Sequence, residues 1–189
     1  ATLTPFFIPP GYPGSWYEVR QGLQAHAMVG SQITAPWPEW SSLEAVGGKV
    51  RILWPEGNTA GADKAMGLKL ELERRIWSEL TTLMGIEPQP ELLYTPIYLW
   101  DHYLDAQGVI VPIGDDLGIA MSDWCSEGAG VIYLPIDKPL GDDGTPGLFH
   151  YLTHELMYAI QYAFPVEGSC DEYEWLREAT ATWAEDHVY

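Results

Sequence analysis

In the stretch YLTHELMYAIQYAF, residues 151 to 164, His154 and Glu155 stand side by side, and one helical turn further on the chain carries Tyr158. Two histidines four positions apart on a helix can hold one zinc ion, and a glutamate directly after the first can act as general base toward the attacking water. Here the first histidine and the glutamate keep those places, and a tyrosine takes the second histidine's. His-Glu by itself is a frequent dipeptide and carries little weight. What surrounds it must decide.

At about 100° per residue, Leu152, Leu156, Ala159, Ile160 and Ala163 fall on the side of this helix opposite His154. The facing stripe is His150, His154, Tyr158 and Gln161. Pro146 suits the first turn and Pro165 ends the helix. A last helix follows in CDEYEWLREATATWAEDHVY, which reaches the final residue without a breaker and so predicts a continuation beyond it.

Within that helix, WLREATATWAED (175 to 186) resembles the glutamate helix of the gluzincins, the thermolysin-like clan of zinc peptidases. Their pattern is HExxH and, after an intervening stretch, Glu followed by small residues. Glu178 lies twenty positions after Tyr158, and WLREATAT is similar to the WLxEGxA stretch of related aminopeptidases. The resemblance covers about 35 residues closely and the strands before them in outline.

The resemblance implies a zincin-like α+β domain that hydrolyses peptide bonds. Zinc would sit on His154, position 158 and Glu178, with Glu155 as general base. AGVIYLP, with Gly130, Val131 and Ile132, matches in position the edge strand on which that clan lays its peptide substrate. An oxyanion-stabilising His or Tyr comes in that clan from the subdomain after the glutamate helix. Thr182 stands where the thermolysin branch often has an acidic partner for the first histidine, so Glu185 or Asp186 is left to orient His154. The bland alternative for Glu178 is an acidic solvated stripe with Asp171, Glu174 and Glu185.

Tyr158 leaves three explanations open: an inactivating replacement of a zinc ligand, a natural pseudopeptidase that binds peptide or protein without cleaving it, and an unusual His/Tyr/Glu metal site. A phenol ionises near pH 10 and is a poor zinc ligand at neutral pH unless the metal draws off its proton. His150 is the alternative ligand, but Glu155 would then follow the wrong histidine. His26, His102 and His187 have no visible partners and read as structural.

Composition bounds the rest. A 189-residue chain that is 47% hydrophobic can bury a core in one domain. Nine basic against 27 acidic residues, a net charge of −18, exclude nucleic acid and anionic membranes as partners in the absence of a basic patch. No apolar run reaches a membrane span. Acidity and a first residue other than Met point to a secreted protein, where Cys125 and Cys170 would form a disulfide closing a loop of about 45 residues; two buried thiols are the alternative.

Ahead of the two helices, residues 1–48 read as an extended Pro/Gly-rich segment packed on the domain, and 49–189 as the zincin-like domain. KVRILWP reads as a strand, 62–84 as a helix capped by Asn58 or Thr59 and ended by Gly85, and 95–135 as short strands. Trp77 and Trp183 are expected on apolar helix faces.

Overall fold

VRILWP alternates buried and half-buried residues and forms a strand, Val50–Pro55, in the computed structural model, which describes residues 38–88, 94–104, 109–113, 118–122, 130–141, 145–164 and 174–189. It is β2. Residues 40–45, expected in the N-terminal extended segment, instead form strand β1 (Trp40–Ala45) and pair antiparallel with β2. Residues 1–37, and with them most of that segment, lie outside the described residues, as do Cys125 and Cys170. The positive φ of Gly47 and Gly48 makes the tight link between the two strands.

After β2, Asn58 caps helix α1 (Thr59–Glu71) by accepting the Gly61 N–H at 2.8 Å. A π turn, Leu72–Ile76, then leads without a break into α2 (Trp77–Met84), which Gly85 ends in the left-handed conformation. The sequence explains the π turn. Leu68, Leu72, Ile76 and Leu80 recur in steps of four, and on an α-helix each such step drifts by about 40°. The wider π turn takes up the drift, and all four side chains are fully buried.

Strands β3 (Thr95–Leu99), β4 (His102–Leu104), β5 (Ile110–Pro112), β6 (Ile119–Ser122) and β7 (Gly130–Leu134) follow, then helices α3 (Leu148–Gln161) and α4 (Glu174–Val188). The main sheet has the order β1-β2-β3-β7-β6, with β2, β3 and β7 parallel and β1 and β6 antiparallel to their neighbours. The fold is α+β, as expected, and its sheet is mixed. β4 and β5 pair separately.

Register places Ile52, Ile97 and Ile132 side by side on one face, and all three are fully buried with Leu68, Leu72, Leu152 and Leu156 of the helices. Gly130, Val131 and Ile132 do not lie at the sheet's edge: β7 runs between β3 and β6. Among the described residues the edge on this side is β6. The reason is that β7 is buried on its helix-facing side and at both flanks, whereas β6 has one neighbour. Trp77 is buried as expected, but Trp183 is 47% exposed. No helix among the described residues is long and apolar enough to cross a membrane.

Two substitutions test this frame. Asn58→Ala removes the acceptor for one otherwise unpaired N–H and should cost about 1 kcal/mol. Leu72→Ala, in the π turn, should cost about 2–5 kcal/mol through the cavity it leaves. Urea unfolding of both variants measures the difference; equal losses would mean the π turn is not packed as described.

Candidate functional site

The apolar stripe read from sequence, Leu152, Leu156, Ala159, Ile160 and Ala163, is buried to the last residue. With that face on the sheet, the other stripe of α3 turns toward α4, and the two helices lie against each other. Gln161 is therefore buried and not open to solvent, its Nε2 donating to Thr180 Oγ1 at 2.5 Å and to the Arg177 carbonyl at 3.4 Å. His154, two turns away along α3, meets the other end of α4.

His154 Nδ1 lies 2.6 Å from Glu185 Oε1. A carboxylate can only accept, so Nδ1 carries the proton of this bond and a neutral ring keeps its lone pair on Nε2. That nitrogen is 3.7 Å from Glu178 Oε1. The Tyr158 hydroxyl donates to the other oxygen, Glu178 Oε2. One imidazole and one phenol thus face the two oxygens of one carboxylate.

Glu155 lies next to them, below β6. It is 7% exposed and accepts a hydrogen bond from the Ala120 N–H. Gly118 makes the close approach of β6 possible: a Cβ there would sit 2.9 Å from Glu155 Cγ and 3.0 Å from its Oε1. A cavity of about 580 Å³ opens over these groups, lined by Gly118 just before β6, by Ile119 and Ala120 of β6, by Tyr151, His154, Glu155, Tyr158 and Tyr162, and by Arg177, Glu178, Thr182 and Glu185 of α4.

Electrostatics follow from the burial. Removal from water, and then the Glu178 and Glu185 charges, push the Glu155 carboxyl up to about 7, against the pull of His154 and of the Ala120 amide. Burial alone would push His154 down, but the Glu185 hydrogen bond and the charges of Glu155, Glu185 and Glu178 together hold it above its ordinary value. Burial, the hydrogen bond to Glu178 and the carboxylate charges raise the Tyr158 phenol well above its usual range.

All four residues singled out for chemistry, His154, Glu155, Tyr158 and Glu178, come together. Glu185, one of two residues left to orient His154, does so; Glu178 does not form a merely solvated stripe with it, since both reach His154. His150 stacks on Tyr189 at 4.4 Å and does not line the cavity. Gly118 and Arg177 had no sequence signal, because each joins the site only through packing of β6 and α4, whereas Tyr162, four positions after Tyr158 and stacked on it at 6.3 Å, continues the stripe of α3 and was missed. Among the described residues no three His, Cys, Asp or Glu form a metal-holding group, the third converging donor being the phenol.

Glu155 sets a pH dependence of stability. Between about pH 4.5, its ordinary value, and about 7, the unfolded chain has lost this proton and the folded chain keeps it, so stability falls as pH rises through that window. The fall amounts to about 3 kcal/mol. Glu155→Gln should lack it and become the more stable protein above pH 7, as urea unfolding of both proteins in chelator between pH 4 and 8 will measure; parallel profiles would remove the buried charge from the account. Comparisons of the chain with protein-family models, with curated proteins and with solved structures find no match.

Proposed function

We propose that this chain is a metallopeptidase domain of gluzincin type whose metal site is weakened by Tyr158, acting outside the cell on peptide or protein substrates. The observation that carries this reading is the convergence of His154 Nε2 and Glu178 Oε1 at 3.7 Å with Glu185 behind Nδ1. Two ligands of a tetrahedral zinc ion, each roughly 2.0–2.2 Å from it, stand about 3.4 Å apart. A carboxylate on the far ring nitrogen is the usual support of a metal-binding histidine.

The residues fit a divalent cation through two donors directly and through the phenol only once it has lost its proton. A zinc ion, when bound, supplies Lewis-acid polarisation of the peptide carbonyl and acidifies water. Glu155 takes the proton from the attacking water and passes it to the leaving amine; its value near 7 suits both steps. Glu185 keeps His154 in one tautomer and one orientation. The peptide itself pairs with β6, which borders the cavity and has one strand neighbour among the described residues.

A second reading, a non-catalytic peptide-binding module, is favoured by one observation. The Tyr158 hydroxyl occupies an oxygen of the carboxylate that the cation needs.

Tyr158→His decides between a displaced ligand and an unrelated tyrosine. Imidazole is neutral near pH 7 and supplies a nitrogen at the four-residue spacing, whereas the phenol must first lose a proton. Titration calorimetry should therefore give about one zinc per chain for the histidine variant, bound tighter than in the natural chain by more than the roughly 100-fold that loss of an outer hydrogen-bond partner costs. Equal affinities would overturn the proposal that position 158 is a ligand position.

A further inference from the structure

The tyrosine does more than weaken a zinc site, because it changes the donor set. Resting on the metallopeptidase reading above, we infer that His154, Tyr158 and Glu178 form a site for a hard trivalent cation, ferric iron in chemical class, in preference to zinc. The geometry is already assembled. The Tyr158 hydroxyl is hydrogen-bonded to Glu178 Oε2, and His154 Nε2 stands 3.7 Å from Glu178 Oε1, so one ion can reach all three donors.

Hardness and charge select the ion. With His at position 158 the set would be two nitrogens and one carboxylate, which suits zinc. With Tyr158 it is one nitrogen and two anionic oxygens, and oxygen-rich sites favour harder cations. Phenolate and the Glu178 carboxylate each bring one negative charge, and the Glu185 carboxylate, 2.6 Å from His154 Nδ1, brings a third through the ring. Three charges next to the ion balance a trivalent one, whereas a divalent ion leaves one in excess; the other charged groups lining the cleft, Glu155 and Arg177, are of opposite sign.

The binding step is a ligand exchange without electron transfer. The O–H bond of Tyr158 breaks as its oxygen bonds the cation, the proton passes to bulk water, and Glu178 gives up the hydrogen bond it accepted. One proton per ion is released beyond any from the imidazole. A trivalent ion drives this exchange at neutral pH because its field acidifies a bound oxygen more than that of a divalent one. The Glu178 side chain is 59% exposed, so the donors are open to an ion arriving from solvent.

The test uses the metal-stripped chain, with ferric nitrilotriacetate, the gallium salt as a redox-inert stand-in, and zinc as competing probes. The expected result is about one iron per chain with a visible phenolate-to-iron charge-transfer band, displaced by gallium and not by equimolar zinc. Tyr158→Phe, its fold checked by circular dichroism, should lose the band, and Tyr158→His should be colourless and prefer zinc. A band that survives in Tyr158→Phe, or zinc displacing iron from the natural chain, overturns the inference. No iron or gallium on the natural chain together with zinc on Tyr158→His sinks this inference and leaves the metallopeptidase reading standing. No metal on either protein sinks both.

Discussion

Leu148, Leu152, Leu156, Ala159 and Ile160 of α3 are fully buried with Ile97, Ile132 and Leu134 of the sheet, in one core with the α1–α2 side chains. A helix has one such face, so fixing it fixes the direction of everything else the helix carries. With the apolar stripe on the sheet, His154, Tyr158 and Gln161 must point toward α4, and Glu155 must point toward β6. The same burial that stabilises the domain aims its polar groups.

That aim has an energetic cost which the cleft concentrates in one residue. Glu155 is held under β6 with one backbone amide and an imidazole beside it, and two further carboxylates nearby. An ionised carboxylate there lacks most of the solvation it has in water, and its proton affinity rises to match. Such a group is a poor contributor to stability and a good proton acceptor near neutral pH. His154 is treated in the opposite way: it has Glu185 on one nitrogen and Glu178 near the other, so it is fully supported in place.

Tyr158 sits where these two halves meet. Its ring lies beside His154, 5.2 Å between centroids, and its hydroxyl spans the gap to α4. The site therefore has at this position a donor hydroxyl that satisfies a carboxylate. With the His154–Glu185 pair it closes the polar network between α3 and α4.

The legible part of this protein was whatever depends on residues within a turn or two of each other. Leu72, Ile76 and Leu80 at helical spacing marked the helix that the structure divides into α1 and α2, Asn58 and Gly85 marked its ends, and the apolar stripe of α3 marked its buried face. Helical spacing put His154 and Tyr158 on one face, whereas Glu155 and Glu178 were named through the resemblance of their short motifs. Pairing between distant segments was not legible. Strand β1 was hidden in a Pro-rich stretch, and β7 looked like an edge strand until β6 was seen to flank it. Gly118 and Arg177 entered the cavity without any signal of their own. Local periodicity states which face of an element is apolar, but which neighbour covers that face is settled by the summed burial of all the elements, and only the tertiary structure carries that sum.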